Sequence, residues 1–260
     1  MTEIPKSHPR YASLKIRERI TEGVNAGITS IQGLIAQGRG EAFDYLIGER
    51  TTSSAFMATK LAAAMLLLAK KPALSVNGNV AALVPEEMVT LSNELKAPLE
   101  INLFHRTEER VAKISELLTN LGGERILGEK PDTVLPGLDH ARSKATRGGI
   151  IDADVVLIPL EDGDRCETLI KMGKNVIAVD LNPLSRTART AKLAIVDNIV
   201  RAMPNLIILI RELSGESTKD LQDILQGHDN NELLRQALFE IQKNLDRQIE
   251  IEIPNLARIR

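Results

Sequence analysis

The sequence predicts an α/β fold, and three observations support the prediction. From about residue 73 to residue 213, short runs of aliphatic residues alternate with longer segments whose apolar residues recur at helical spacing. The short runs are apolar throughout, which is typical of parallel strands buried on both faces. Four of them lead into clusters of Asn, Asp, Glu and Gly. We therefore expect a Rossmann-like parallel sheet covered by helices on both faces, with helical N- and C-terminal extensions.

The N-terminal part of the chain is expected to be helical with interruptions. Ser13 is a candidate N-cap of its first helix. Ser53 or Ser54 should cap a further helix that runs through Lys70, because Pro72 stops it. Between these two helices the pattern is punctuated by glycines, at Gly27, Gly33, Gly38 and Gly40.

The remaining elements follow from the hydrophobic pattern. Residues 128–150 contain Gly, Pro, Lys and Arg without a period, so we expect a long surface excursion there, of a length that is often functional. We expect residues 1–260 to form a single domain, with an N-terminal helical part at 1–52 and C-terminal helices at 214–260. The predicted elements are strands at 73–76, 99–104, 154–159, 176–179 and 193–196, and helices at 85–95, 108–121, up to 172, 199–213, 217–226 and 231–249.

Composition excludes several classes of function. The formal net charge of −2 and the scarcity of aromatic residues, with no Trp, argue against a nucleic-acid partner. The most apolar run, Leu61 to Ala69, is too short to span a membrane. The single cysteine, Cys166, permits no internal disulfide and fits a cytoplasmic protein. Because it falls in a predicted helix, we expect it to be an inert buried thiol.

Polar clusters follow four of the predicted strands. Because the carboxyl ends of parallel strands meet at one edge of a sheet, we expect these clusters to lie together, where ligands bind. Arg186 and Arg189 follow one of these strands, and arginine suits phosphate. Any single cluster is more simply a turn, but the four together favour a site for a phosphorylated or nucleotide ligand. The clusters are residues 77–79, 161–164, 180–182 and 197–198.

Individual residues suggest roles in such a site, each with a simpler alternative. Asp180 is a candidate partner of a ribose hydroxyl, or an N-cap. Asn198 opens a helix whose free N–H groups favour an anion, or simply caps it. Arg39, in the string G-R-G-E, is a candidate phosphate ligand beside glycines that permit close backbone approach. The acidic loop 161–164 is a candidate for holding Mg²⁺ near a triphosphate, or for pairing with Arg165.

Two familiar signatures are absent from the sequence. No G-x-G-x-x-G follows a strand, and no G-x-x-x-x-G-K-[ST] occurs, so neither usual phosphate loop is present. The four histidines show no metal-ligand spacing.

Long strings in the chain resemble the archaeal phosphopantothenate synthetase family, also called 4-phosphopantoate–β-alanine ligase. The resemblance covers nearly the whole chain and is weakest at 119–150 and in the C-terminal helices. One departure is Gln37, where the family commonly has His before the G-R-G-E string. The matching strings are IPKSHPRY (4–11), GRGEAFDYLIGE (38–49), SVNGNVAALVP (75–85), LEINLFHRTEERV (99–111), IPLEDGD (158–164), DLNPLSRTAR (180–189) and IVDNIVRA (195–202).

The resemblance implies a homodimeric, ATP-dependent ligase of coenzyme A biosynthesis. It would join 4-phosphopantoate to β-alanine, giving 4′-phosphopantothenate, AMP and pyrophosphate. By resemblance, the ATP-binding positions are Arg17, Arg39, Asp180, Leu181, Asn182, Arg186, Thr187, Asn198 and Ile199.

The implied mechanism passes through an acyl-adenylate and needs no nucleophilic side chain. We expect Arg39 and Arg186, with Mg²⁺, to stabilise charge on the phosphates. Asn77 completes the catalytic set. Ser75, Asn77 and Asp162 are the candidate ligands of phosphopantoate and β-alanine, and no metal ligands are assigned.

Two other functions compete with this hypothesis. An NAD(P)-dependent oxidoreductase could use the same fold, although the missing glycine fingerprint counts against it. A non-catalytic nucleotide sensor would bind ATP without turnover.

Overall fold

A computed structural model describes residues 4–251, and its centre is a sheet of six parallel strands. The spatial order is β3-β2-β1-β6-β7-β8. A two-stranded antiparallel hairpin, β4 and β5, is inserted between β3 and β6 along the chain. The strands are β1 Pro72–Val76, β2 Leu99–Ile101, β3 Ile126–Leu127, β4 Thr133–Val134, β5 Lys144–Ala145, β6 Val155–Pro159, β7 Asn175–Val179 and β8 Leu193–Ile195.

The strand order defines where a ligand would bind. Without the hairpin, the six strands follow the order 3-2-1-4-5-6 of a doubly wound Rossmann-type sheet. The order reverses between β1 and β6, where Leu74 pairs with Leu157 on one side and with Leu99 on the other. In such sheets, ligands occupy the crevice at the carboxyl ends of the strands at this switch point.

Helices cover both faces of the sheet, as the sequence predicts. The strands are buried on both faces, since Val176 and Ala178 of β7 pack in one core cluster and Ile177 and Val179 pack in the other. The helices are α1 Tyr11–Asn25, α2 Ile31–Ile47, α3 Ser53–Leu68, α4 Gly78–Leu83, α5 Pro85–Leu95, α6 Glu108–Asn120, α7 Gly163–Lys171, α8 Arg186–Thr190, α9 Ile199–Leu213, α10 Thr218–Leu225 and α11 Asn230–Ile251.

Several predicted caps and element ends differ from those in the structure. Ser13 lies inside α1, and Thr52, instead of Ser53 or Ser54, caps α3 by accepting a hydrogen bond from the Ala55 N–H. The predicted strand at 99–104 ends at residue 101. Thr107 and Ser217 cap α6 and α10.

The glycines of the N-terminal part do not break the helix at residues 38–41. Helix α2 continues through Gly33, Gly38 and Gly40, so the expectation that these glycines interrupt the helical pattern is wrong. Its N-cap is Ser30, and Gly48 ends it in a left-handed conformation with φ of 96°.

The segment at 128–150 is a partly buried insertion, which corrects the expectation of a surface excursion. It contains β4, β5 and a 3₁₀ turn at Ala141–Ser143. Leu135 and Ile150 pack into the second core cluster. The carboxylate of Glu100, at the centre of β2, accepts hydrogen bonds from the backbone N–H groups of Thr146 and Ile150 and thereby anchors the insertion.

Within residues 4–251, no helix is both long and apolar enough to cross a membrane. The ends of the two predicted extensions, residues 1–3 and 252–260, lie outside the described part of the chain.

Candidate active site

Two adjoining clefts lie at the carboxyl edge of the sheet. The first, which we name the Asp180 cleft, has a volume of about 390 Å³. Its walls come from α2 and from the segments that follow β6 and β7. Its lining residues are Ala36, Gln37, Arg39, Gly40, Phe43, Asn79, Leu160, Glu161, Gly163, Asp180, Leu181, Asn182, Ser185, Arg186 and Thr187.

The second cleft, which we name the Arg142 cleft, has a volume of about 400 Å³. It lies between the start of α2, the segments after β1 and β2, and the insertion. Its lining holds three arginines, Arg39, Arg110 and Arg142, against two carboxylates, Glu161 and Asp162, and it also includes His105 and Asn77. The two clefts share Ala36, Arg39, Asn79, Leu160 and Glu161, so they form one bipartite crevice at the switch point.

Arg39 stands where the two clefts meet. It lies on α2 and is exposed, and its side chain makes no hydrogen bond or ion pair with any other residue between 4 and 251. An arginine without a protein partner keeps all its donors available for an anionic ligand.

Asn77 connects the two strands at the switch point. Its side-chain oxygen accepts hydrogen bonds from the Asn79 and Val80 N–H groups and caps α4. Its Nδ2 donates to the carbonyl oxygens of Pro159 and Leu160, each at 3.0 Å. With both ends of the amide occupied, Asn77 shapes the floor of the Arg142 cleft.

Asp180 is the central carboxylate of its cleft. It accepts hydrogen bonds from the Asn182 N–H at 2.9 Å and the Ser185 hydroxyl at 2.5 Å. Burial raises its pKa, although these hydrogen bonds and the charge of Arg39 oppose the rise. Asp180 does not cap α8 directly, because Ser185 is the N-cap.

The remaining predicted residues of this cleft lie in its wall. Arg186 is exposed and pairs with Asp164, at 2.6 Å, and with Glu167. Thr187 is buried and donates its hydroxyl to the Glu161 carbonyl oxygen. Leu181 and Asn182 also line the cleft.

The structure does not bring four predicted site residues to either cleft. Ser75 is buried in β1, where its hydroxyl accepts a hydrogen bond from Arg165 at 2.8 Å. Arg17 lies on α1 and pairs with Glu41 at 2.8 Å. The other two, Asn198 and Ile199, are buried at the start of α9.

Asn198 is committed to a network that joins α2 to α9. It caps α9 through its side-chain oxygen and donates its Nδ2 to Asp44 at 2.7 Å. Arg201 pairs with Asp44 and with Asp197, at 2.5 and 2.7 Å. Asn198 therefore caps α9, and the network fixes α2 over the edge of the sheet.

The acidic loop after β6 is paired with arginines. Glu161 lies 2.6 Å from both Arg142 and Arg165, and Asp162 Oδ2 lies 2.9 Å from Arg142 Nε without hydrogen-bond alignment. The described residues contain no group of three or more His, Cys, Asp or Glu that could hold a metal ion. Because arginines already neutralise these carboxylates, the loop does not fit a protein-built Mg²⁺ site.

Sequence reasoning missed the arginines of the second cleft. Arg110 donates to the carbonyl oxygens of Ile28 and His105, and its Nε is buried without a partner in the described chain. Arg142 lies on the insertion, 5.8 Å from the centre of the Phe104 ring. For Arg142 the available signal was the aperiodic Lys- and Arg-containing segment at 128–150, and Arg110 lies in the string at 99–111 that carries the family resemblance.

The fold and the crevice define a class of protein: a doubly wound α/β protein whose crevice at the switch point of the sheet suits small anionic ligands. Residues 54–244 match the model of the phosphopantothenate/pantothenate synthetase family. The chain belongs to that family.

Relatives of known name cover almost the whole chain. A 4-phosphopantoate–β-alanine ligase of Thermococcus kodakarensis is 55% identical over 251 residues, 96% of both chains. The ligase of the same name from Methanosarcina mazei is 54% identical over 245 residues, 94% of this chain and 96% of its own. A third, from Methanospirillum hungatei, is 48% identical over 242 residues, 92% of this chain and 99% of its own.

Proposed function

We propose that this protein is an ATP-dependent ligase of coenzyme A biosynthesis that joins 4-phosphopantoate to β-alanine. The products would be 4′-phosphopantothenate, AMP and pyrophosphate. The observation that carries the proposal is the bipartite crevice, in which two clefts of similar volume meet at Arg39. The names of the relatives support the substrates.

The Asp180 cleft suits the nucleotide. Asp180 follows β7 at the carboxyl edge, the position from which an acidic residue bonds a ribose hydroxyl in related folds. Arg39 and Arg186 would contact the phosphates, and Arg186 would exchange its exposed carboxylate partners for them. Arg17, Asn198 and Ile199 stay predictions from the resemblance, because no contact with a described cleft supports them.

The Arg142 cleft suits the phosphorylated acid. Arg110 and Arg142 line this cleft, and guanidinium groups suit a phosphate or a carboxylate. His105 and Asp162 lie at the same wall and are candidate contacts for the acid or for the amine of β-alanine. Ser75 would contribute indirectly, because its hydroxyl accepts a hydrogen bond from Arg165 and helps to hold that side chain beneath the cleft.

In the proposed mechanism, the carboxylate of phosphopantoate attacks the α-phosphorus of ATP and expels pyrophosphate. The amine of β-alanine then attacks the acyl carbon of the adenylate and releases AMP. Arg39, at the junction of the clefts, would stabilise negative charge on the phosphate oxygens. Asn77 would hold the loop around Leu160 in place, and alignment of the substrates would supply much of the rate. Mg²⁺ would come with ATP, held mainly by phosphates and water.

We also propose that the protein is a cytoplasmic homodimer and that residues 1–260 act as one unit. Exposed apolar side chains on α2 and α11 support the dimer: Ile31, Ile35 and Phe239 are 65%, 63% and 58% exposed. Sedimentation velocity measures the mass directly, and a mass of 28.5 kDa in solution would contradict the dimer. We propose no nucleic-acid or membrane partner.

The deciding experiment is a substrate-omission assay. AMP should form only when ATP, 4-phosphopantoate and β-alanine are all present. Pantoate, which lacks the phosphate, replaces 4-phosphopantoate in the matched control. AMP formation that ignores β-alanine, or equal turnover of pantoate, would contradict the proposal. The family match gives no support to the NAD(P)-dependent oxidoreductase, and ATP binding without turnover would favour the sensor.

A further inference from the structure

A buried group of charges lies beneath the Arg142 cleft. The side chain of Glu161 is fully buried, and it forms an ion pair with Arg142 through one carboxylate oxygen and with Arg165 through the other. Asp162 lies on the other side of Arg142. Within this group two arginines face two carboxylates, so the formal charges balance.

Arg165 is the member of this group that no ligand can reach. It lies on α7, is 0% exposed, and lines neither cleft. Its Nη1 donates to Ser75 and Glu161, while its Nε and Nη2 are buried without hydrogen-bond partners in the described structure. Burying a guanidinium with unsatisfied donors costs stability, so such a group is weak evidence for a stabilising role.

Arg165 determines the net charge of the group around Arg142. Burial by itself raises the pKa of Glu161, but Arg142 and Arg165 outweigh burial and hold that pKa below its ordinary value. Without Arg165, the ionised Glu161 and Asp162 would both depend on Arg142. The group would then carry a net negative charge beside a cleft proposed to bind a phosphorylated acid.

We propose that Arg165 is a positioning residue for the phosphorylated acid: it compensates the charge of Glu161 and holds that carboxylate, so that Arg142 keeps its position and the group carries no net negative charge beside the substrate. The proposal rests on the proposed function, because it needs the Arg142 cleft to bind an anion. Arg165 itself touches no substrate.

The test combines Arg165→Met with the double variant Arg165→Met/Glu161→Gln. Titration calorimetry with 4-phosphopantoate alone gives Kd, and steady-state assays give KM for each substrate. Arg165→Met should weaken the acid by about tenfold or more, the size of effect seen when the support of a binding residue is removed, with KM for ATP changed less than about twofold. The double variant restores the charge balance and should recover most of the lost affinity. If Arg165→Met acted only by disturbing the packing, the added Glu161→Gln would not recover it.

Two controls complete the experiment. Arg165→Lys keeps the charge and should bind the acid more tightly than Arg165→Met. Lys174→Met removes another buried cation. Lys174 lies just before β7, at the opposite edge of the sheet, and donates to the carbonyl oxygens of Ile151 and Ala153. It should lower stability without changing the affinity for the acid.

The outcomes separate this inference from the proposed function. Wild-type protein that does not bind 4-phosphopantoate would contradict both. Wild-type protein that binds it, with a folded Arg165→Met that binds equally well or is not rescued by Glu161→Gln, would contradict the role of Arg165 alone. If Arg165→Met does not fold, the double variant decides: affinity near the wild-type value supports the role, and a loss of about tenfold overturns it.

Discussion

At the scale of single residues, the crevice separates groups that are committed to the protein from groups that are available to a ligand. The side chains of Asn77 and Thr187 donate hydrogen bonds to the backbone carbonyl oxygens of Pro159 and Glu161. Arg142 is held between Glu161 and Asp162. Arg39, by contrast, faces both clefts without a partner in the described chain. Substitution of Arg39 should therefore affect the reaction more than the fold.

Replacing Arg39 by Ala should reduce pyrophosphate release by about 100-fold, the usual effect of removing one group that stabilises transition-state charge. The melting temperature should change little, because the side chain is exposed. Arg189→Ala, which removes an exposed arginine of α8 outside both clefts, is the matched control. Normal turnover of the Arg39 variant would remove this residue from the mechanism.

Asp180 gives a prediction about pH. Because burial raises its pKa in the folded state, ionised Asp180 destabilises the fold above the folded pKa, and this cost disappears as pH falls below the unfolded value of 3.8. Asp180→Asn should thus be at least as stable as wild type at pH 7, with an advantage that shrinks in acid. The same variant should bind ATP more weakly. Thermal melts between pH 3 and 7 and an ATP titration measure the two effects, and a variant that is less stable at neutral pH would contradict the argument.

At the scale of elements, helix α2 determines whether the two clefts meet. Its N-terminal half packs against the start of α4, where Asn79 donates a hydrogen bond to the Gly33 carbonyl oxygen at 2.9 Å. Its C-terminal half is fixed by Asp44, which binds Asn198 and Arg201 of the α9 region. Arg39 lies between these two anchors, so its position depends on both.

The glycines of α2 give a matched pair of variants. A Cβ at Gly33 would lie 2.3 Å from Asn79 Oδ1 and 2.5 Å from Thr29 Oγ1, so Gly33→Ala should displace α2 and cost about 1–3 kcal/mol. A Cβ at Gly38 meets nothing within 4 Å, so Gly38→Ala should stabilise the helix by up to about 1 kcal/mol. Urea unfolding measures both changes. The two variants should change the free energy of unfolding in opposite directions, and equal changes would contradict the role of close packing at Gly33.

At the scale of the whole molecule, two core clusters enclose the sheet, and Cys166 lies in the second of them. Its thiol is fully buried, and burial, followed by the charges of Glu161 and Asp162, raises its pKa to about 12. Since it is the only cysteine in the sequence, its reactivity reports on opening of the fold.

Native protein should therefore react with a thiol reagent only through unfolding. The rate of modification should rise with urea in parallel with loss of structure, and saturating ATP should slow it if the nucleotide stabilises the fold. Rapid reaction of the native protein with one equivalent of reagent would show that this core opens locally. Ellman's reagent, followed by absorbance with and without denaturant, makes the measurement.

The short strand β3 and the order of the strands in the sheet were not predicted. The sequence by itself determined a parallel sheet covered by helices and the edge at which polar clusters gather. Those features follow from local hydrophobic period and from the rule that parallel strands end on the same side. Asp180 and Asn77 were therefore candidates without coordinates, and Arg39 was a candidate from the string G-R-G-E. The resemblance to a ligase family came from long local strings of residues, and the family match confirms it.

Only the tertiary structure decided which of the candidates meet. It turned Asn198 inward to Asp44, which is 154 residues away, and placed Arg142 of the insertion on Glu161. It also continued α2 through glycines that locally favour a turn, because packing against α4 outweighs that preference. Contacts between distant segments depend on shape and buried charge, and the periodicity of a sequence carries neither.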